Sequence, residues 1–221
     1  MTMKDAMRSR HTVRKYLDDP IPPEIIEKLR ARVAENNEKY GLDIKLQIND
    51  ESVISPAAVR LLFTKNVKNY FLLAGDPAPD LDERLGYCGT DLMLYAQTLG
   101  LNTWWVGGTF NKKTTSELAG GKKVVGIIAV GYGATQGVPH RSKKPKKVSS
   151  YEGEAPQWFK DGVEAALLAP TAVNRQAFFI KGRGREVSIT YNKGSFAGVD
   201  LGIVKYHFEL GAGKENFEWG D

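Results

Sequence analysis

The feature that most constrains this chain is a nearly continuous apolar run from Val124 to Val130, followed by Gly131. A strand that is apolar on both faces must be covered on both sides, because either face would otherwise leave apolar surface in water. A second strand is predicted at Thr103–Val106, where it ends at Gly107-Gly108. The sequence therefore predicts a sheet buried between helices.

Helical spacing of apolar residues predicts the elements that cover this sheet. Pro22 and Pro23 begin one helix, where a missing N–H costs nothing, and Gly41 ends it. Three further helices are predicted at Thr90–Leu99, Gln157–Leu168 and Val199–Leu210. The remaining predicted strands are Val59–Phe63, Tyr70–Ala74, Ala177–Ile180 and Val187–Tyr191. We expect the first two to pair with each other, and we expect a loop over 76–84 to follow them.

The two halves of the chain share an element order. Both predict helix, strand, strand and then a helix that starts with Gly-x-Asp-Leu, at Gly89–Leu92 and at Gly198–Leu201. The alternative is that two unrelated helices both use an Asp N-cap after Gly. We expect a weak internal duplication, with a first half at 1–137, a basic linker at 138–156 and a second half at 157–221.

Composition excludes several classes of protein. No run of about 18 apolar residues predicts a membrane span, and the polar N-terminus resembles neither a signal peptide nor an anchor. Cys88 is the only cysteine, and the three histidines lie far apart, so neither a disulfide nor a zinc site is expected. We expect a cytoplasmic protein. The net charge of +5 favours an anionic partner without identifying it.

One candidate binding segment is Arg10–Tyr16, which places two guanidinium groups, an imidazole and hydroxyls within seven residues. Arginine offers a fork of N–H donors that matches phosphate oxygens. The alternative is a solvated basic segment.

A second candidate is Ala169–Gln176, in which Pro170 fixes the backbone and Asn174 and Gln176 present paired donors and acceptors. Such side chains can bind the edge of a heterocycle. The alternative is a helix C-terminal turn held by local hydrogen bonds.

Two further segments carry weaker signals. Trp104–Thr109 contains two glycines that let the backbone approach a flat ligand, although a plain turn with a buried tryptophan explains this segment better when it is taken alone. The basic segment Pro139–Lys144 lacks interleaved aromatic residues, so sequence-specific binding of nucleic acid is not expected. No protein nucleophile motif or phosphate-binding loop is present, and this absence favours a cofactor that supplies the reactivity.

Together these four segments resemble the FMN-dependent nitroreductase superfamily. The resemblance rests on Arg10-His-Thr-x-Arg14-x-Tyr16, on Ala169-Pro-Thr-x-x-Asn174-x-Gln176, on Leu99-Gly-Leu101 with the strand into Gly107-Gly108, and on the late basic segment. It implies an FMN site formed by Arg10, His11, Thr12, Arg14, Trp105, Val106, Gly107, Gly108, His140, Arg141, Ser142, Pro170, Thr171, Ala172, Asn174 and Gln176.

The chain departs from the family pattern in two places. Ala177 and Phe178 stand where the family has Pro-Trp, and the Ala-Pro-Thr segment follows a helix of the second half instead of the first helix. Family members are homodimers in which each flavin takes groups from both subunits. A duplicated chain that keeps one half-site in each half would hold one complete site, so we expect a monomer.

The resemblance implies an α+β fold with a mostly antiparallel central sheet flanked by helices, in two pseudo-symmetric halves. It also implies two-electron transfer from NAD(P)H, through FMN, to a small electron-poor acceptor such as a nitroaromatic or a quinone, with no catalytic side chain. Three alternatives stay open: a reductive dehalogenase, a flavin-binding protein without turnover, and a basic protein associated with nucleic acid.

Overall fold

Two four-stranded sheets form the framework of the computed structural model, which describes residues 1–54 and 64–220. The first sheet is antiparallel throughout and has the order β1-β2-β4-β3. Its strands are β1 (Lys45–Gln47), β2 (Tyr70–Gly75), β3 (Asn102–Val106) and β4 (Lys123–Gly131). Six consecutive buried residues in β2, and six at the end of β4, place this sheet between covering layers, as the apolar run predicted.

The second sheet has the order β5-β6-β7-β8 and mixes directions. Its strands are β5 (Ser149–Glu152), β6 (Phe178–Arg183), β7 (Glu186–Tyr191) and β8 (Glu218–Trp219). The central pair is antiparallel, as predicted for the hairpin, whereas each edge strand pairs in parallel with its neighbour. The sheets and their helices make an α+β fold.

Six α-helices cover these sheets in the described ranges. They are α1 (Met3–Ser9), α2 (Pro23–Tyr40), α3 (Leu81–Thr98), α4 (Lys112–Leu118), α5 (Gln157–Ala166) and α6 (Ala197–Ala212). Gly41 ends α2 in the left-handed conformation at φ 59°, as predicted from its position after the last apolar turn. In the part of the chain that is described, no helix is both long and apolar enough to cross a membrane.

Helices α3 and α6 pack backbone against backbone. A Cβ atom added to Gly86 would lie 2.1 Å from the Val199 carbonyl oxygen, and one added to Gly202 would lie 2.0 Å from the Glu83 carbonyl oxygen. Only glycine permits this approach. The contact fixes the start of α6 relative to the first sheet.

The predicted start of the helix at Thr90–Leu99, within Gly89–Leu92, is wrong. Helix α3 begins at Leu81, within the predicted loop, and Asp91 lies buried in its interior. The Asp91 carboxylate accepts hydrogen bonds from Arg32, Asn36 and Tyr206 at 2.7–2.9 Å, so this buried anion is neutralised by a half-buried guanidinium and caps no helix. The Gly-x-Asp-Leu match therefore gives no support to a duplication.

The shared order of elements is not tested, because one of the two strands predicted for the first half falls outside the described residues. Of the predicted elements, helix α2, strand β2 and helix α3 occur in this order in the first half, and α5, β6, β7 and α6 occur in the second. The internal duplication stays a prediction. The strand predicted at Val59–Phe63 lies outside the described residues.

The segment 138–156 is more ordered than a linker. It contains a 3-10 turn at Pro145–Lys147 and strand β5, which pairs with β6. The Lys143 ammonium donates to the Gln176 carbonyl oxygen at 2.8 Å. A basic side chain here holds two chain segments together, which a composition-based linker prediction does not capture.

Candidate functional site

A cavity of about 620 Å³ lies where the N-terminal segment, the end of β3, the loop after α5 and the start of α6 meet. We call it the β3 cavity. Thirteen of the sixteen predicted site residues line it: Arg10, His11, Thr12, Arg14, Trp105, Val106, Gly107, Gly108, His140, Pro170, Thr171, Ala172 and Asn174. The structure thus brings four segments that are distant in sequence to one place.

The N-terminal segment reaches the cavity because it runs along β3. Thr12 forms a parallel bridge with Thr103, and the Val13 N–H donates to the Thr103 carbonyl oxygen at 3.1 Å. Val13 and Tyr16 are buried and anchor the segment, and the Tyr16 hydroxyl donates to the Ala129 carbonyl oxygen at 3.3 Å. Alternation along an extended segment places Thr12 and Arg14 on the opposite face from Val13.

Arg10 is the most unusual group in the cavity wall. Only 5% of the residue is exposed, yet within 1–54 and 64–220 its guanidinium makes no salt bridge and no side-chain hydrogen bond. Burial lowers the pKa of Arg10 to about 10. A buried cation without a counter-charge is costly, so the arrangement calls for an anion in the cavity.

The other ionisable groups of the lining are the Arg14 guanidinium, the imidazoles of His11 and His140, and the Asp200 carboxyl group. The Arg14 guanidinium lies 5.5 Å from the centre of the Trp104 ring. Burial, and then the charges of Arg10 and His140, lower the pKa of His11. Asp200 is the one carboxyl group in the lining; burial raises its pKa, while hydrogen bonds from Tyr191 and Ala172 act in the opposite direction.

The loop after α5 is held in a strained conformation. Val173, Asn174 and Gln176 all have positive φ angles, of 46°, 55° and 46°. Non-glycine residues rarely adopt this region, and such residues cluster at functional sites. Asp200 helps to fix the loop, because its carboxylate accepts from the Ala172 N–H at 3.0 Å and from the Tyr191 hydroxyl at 2.6 Å.

Three predicted residues do not line the cavity: Arg141, Ser142 and Gln176. The Ser142 hydroxyl and the Gln176 amide both donate to the Leu167 carbonyl oxygen at 3.0 Å. Arg141 contributes its main-chain carbonyl, which accepts from the Asn174 amide at 2.8 Å. These residues fasten the segment around 141–143 to the loop after α5 and so position the residues that line the cavity.

The lining also contains residues that are not among the sixteen predicted FMN-site residues: Trp104, Thr109, Val138, Pro139, Val173, Phe196, Val199 and Asp200. Five of them neighbour predicted residues in the four segments. Phe196, Val199 and Asp200 come from the start of α6, and no motif marked them. The Phe196 ring lies against the end of β3, where a Cβ on Gly107 would come within 2.7 Å of it.

A second cavity, of about 640 Å³, lies between α2, α3 and the end of α6. We call it the helix cavity. Five of its charged groups form salt bridges: Arg32 with Asp91 at 2.7 Å and with Glu35 at 2.9 Å, and Lys214 with Glu209 at 2.5 Å. The Tyr87 hydroxyl also donates to Glu209. These five groups have counter-charges of their own, unlike Arg10 in the β3 cavity.

Comparison with known proteins connects the site to a family. The family model described as "Putative TM nitroreductase" matches residues 2–212. A crystal structure of a putative nitroreductase from Thermotoga maritima is similar over 97% of this chain and 85% of that one, with a TM-score of 0.72 and 22% identity. No curated protein matches the chain.

Two further solved structures share the fold over part of the chain. A putative nitroreductase from Desulfovibrio desulfuricans, solved in complex with FMN, covers 71% of this chain and 99% of its own, with a TM-score of 0.53 and 19% identity. A putative NAD(P)H:FMN oxidoreductase from Staphylococcus epidermidis covers 66% of this chain and 94% of its own, with a TM-score of 0.51 and 15% identity. These likenesses show the nitroreductase fold.

Proposed function

Because the chain belongs to the nitroreductase family whose model spans residues 2–212, we propose that it is an FMN-dependent oxidoreductase with its flavin in the β3 cavity. The observation that carries this proposal is the buried guanidinium of Arg10 in the cavity wall, which has no salt bridge or side-chain hydrogen bond to residues 1–54 or 64–220. We also propose that the protein works in the cytoplasm.

The residues of the β3 cavity fit FMN. Arg10 and Arg14 provide the positive charge that a phosphate or a reduced, anionic flavin ring needs. Gly107 and Gly108, which follow Trp105 and Val106, offer an accessible strand end. The Asn174 N–H group is held by the Arg141 carbonyl, so its side-chain oxygen is the acceptor that can face a ring edge. The volume of about 620 Å³ lies within the usual range for cofactor sites.

The reaction we propose takes two electrons and a proton from NAD(P)H and passes them to an electron-poor acceptor. FMN supplies this redox chemistry when bound. For a quinone, the balance is NAD(P)H, one proton and the quinone giving NAD(P)⁺ and the hydroquinone. The chain holds the ring and places the guanidinium groups of Arg10 and Arg14 in the wall of the same cavity.

No side chain is assigned a nucleophilic role. Cys88 is fully buried, and burial raises the pKa of its thiol to about 12, so the thiolate is not accessible at neutral pH. The site thus consists of groups that bind and orient.

The test is a titration of the purified chain with FMN, followed by anaerobic addition of NADH or NADPH. We expect saturable binding, and then bleaching of the flavin absorbance that a naphthoquinone reverses. Absence of FMN binding would refute the proposal. Binding without reduction by either nicotinamide would favour a flavin-binding protein without turnover.

We further propose that one chain completes one site, because Arg10 and Asn174 line the same cavity of a single chain. Mixing Arg10→Ala and Asn174→Ala variants tests this. In a self-contained chain both sites stay damaged after mixing. Recovery of FMN binding together with a dimeric mass would show a site shared between subunits.

A further inference from the structure

The helix cavity has no role in the proposed function. Its volume of about 640 Å³ is close to that of the β3 cavity, so it has room for a ligand of the size of a mononucleotide. Among the described residues the two cavities share no lining residue, although α6 lines both: Val199 and Asp200 the β3 cavity, Tyr206 and Glu209 the helix cavity. A ligand in one cavity therefore leaves the other accessible.

Three tyrosine rings line the helix cavity together. The centre of the Tyr87 ring lies 5.6 Å from that of Tyr40 and 4.9 Å from that of Tyr206. Hydrogen bonds fix two of these rings, because the Tyr206 hydroxyl donates to Asp91 at 2.7 Å and the Tyr87 hydroxyl donates to Glu209. An aromatic wall that is held in place favours a flat ring as its ligand.

Asn36 adds an unused hydrogen-bond acceptor to this lining. Only 7% of the residue is exposed, and its side-chain N–H donates to Asp91 at 2.9 Å. Because an ionised carboxylate only accepts, this bond turns the amide nitrogen toward Asp91 and leaves the Asn36 side-chain oxygen on the other side of the amide. Within residues 1–54 and 64–220 that oxygen accepts no hydrogen bond. A ligand with an N–H donor would satisfy it.

Cations outnumber carboxylates where solvent reaches the helix cavity. The Asp91 and Glu209 side chains are only 5% and 10% exposed, whereas their partners Arg32 and Lys214 are 36% and 61% exposed. The lining further contains two exposed lysines and two exposed carboxylates: Lys4, Lys39, Glu35 and Glu215. Neither lysine forms a salt bridge with a carboxylate of the described residues. An anionic ligand group is therefore favoured at the opening.

The cations lie beside the aromatic wall. The Lys39 ammonium is 5.2 Å from the centre of the Tyr40 ring, and the Lys214 ammonium is 5.2 Å from that of the Tyr87 ring. A flat ligand that contacts the tyrosines can therefore bring an anionic group to a lysine. Ring, donor and anion must then belong to one molecule.

We propose that the helix cavity binds a nucleoside monophosphate whose base carries an amino group. The base lies against the tyrosine rings, its amino group donates to the Asn36 oxygen, and its phosphate pairs with Lys4 and Lys39. This site is separate from the proposed flavin site and does not depend on it.

The experiment is a calorimetric titration of the FMN-loaded chain with adenosine monophosphate, because FMN then fills the β3 cavity. Adenosine, which lacks the phosphate, and inosine monophosphate, which lacks the amino group, are titrated at the same ionic strength. The variants are Lys4→Gln, Lys39→Gln and the pair combined. Lys28→Gln is the matched control, since Lys28 is also exposed on α2 but lies outside the lining.

We expect saturable binding of adenosine monophosphate, with adenosine and inosine monophosphate each about tenfold weaker. Each lysine variant should weaken binding by about threefold and the double variant by about tenfold, because an exposed ion pair contributes modestly. Lys28→Gln should bind as the wild type does. The unfolding temperatures of the unliganded variants should match that of the wild type, since all three lysines are exposed.

Absence of saturable binding would overturn the proposal, as would equal affinity for adenosine monophosphate and either comparison ligand. Equal losses in Lys28→Gln and Lys39→Gln would also overturn it. If adenosine monophosphate binds the flavin-free chain but not the FMN-loaded one, it occupies the β3 cavity and the proposal fails. A chain that binds no FMN would refute the proposed function alone, and the lysine variants of the flavin-free chain would then test the helix cavity.

Discussion

Replacing Arg10 by methionine is expected to separate stability from function. Burial brings the pKa of Arg10 from 12.5 down to about 10, and at 1.36 kcal/mol per pKa unit the charged guanidinium carries a penalty of roughly 3 kcal/mol in the flavin-free chain. Since the folded-state pKa is the lower one, this destabilisation is present in full below about pH 10 and fades only above it. Methionine has an apolar side chain that can occupy much of the same space without the charge. Arg10→Met should therefore stabilise the flavin-free chain by about 1–3 kcal/mol.

The same change should weaken FMN binding. A hydrogen bond to a charged group contributes about 1.5–3 kcal/mol, which corresponds to roughly a tenfold to 150-fold loss of affinity. Urea unfolding of the flavin-free protein and FMN fluorescence quenching measure the two effects. Arg8→Met, at an exposed position of α1, is the matched control and should change neither. A less stable Arg10→Met chain with unaltered FMN affinity would refute the idea that Arg10 is kept for an anionic ligand.

Two glycine contacts give further predictions. Gly202→Ala places a Cβ 2.0 Å from the Glu83 carbonyl oxygen, so it should lower the free energy of unfolding, measured with urea, by about 3 kcal/mol or more. Gly194→Ala is the control, because its Cβ would have no neighbour within 4 Å, and it should change that free energy very little. Equal effects of the two variants would contradict the close contact between α3 and α6. Gly107→Ala pushes against the Phe196 ring at 2.7 Å and should lower FMN affinity severalfold, with partial recovery when Phe196→Ala is added. No recovery in the double variant would show that the ring is not the cause.

Local sequence signals predicted the elements whose pattern is complete within one segment. The helix after Pro22–Pro23, the buried strand around Val124–Val130 and the hairpin of β6 and β7 all follow from periodicity and turn residues. The short edge strands β5 and β8 were missed, because two to four residues carry little pattern and their pairing depends on distant neighbours.

The limits of local reasoning are clearest at α3 and in the cavity wall. Asp91 looked like an N-cap beside Gly89, but a partner on another helix, Arg32, explains its burial. Gln176 was predicted to face a ligand and instead holds the Leu167 carbonyl, because the residue type does not reveal which way an amide points. That the Arg10 guanidinium is buried without a salt bridge to the described residues becomes visible only in the folded chain, because the sequence does not show which groups surround it.

The central claim is that the β3 cavity of one chain holds one FMN by its negative charge. Titration of the flavin-free protein with FMN and with riboflavin, at matched ionic strength, tests it most directly. The account predicts one FMN per chain, with riboflavin at least tenfold weaker because Arg10 and Arg14 lose an anionic partner. Equal affinity for the two flavins, two FMN per chain or no saturable binding would contradict it.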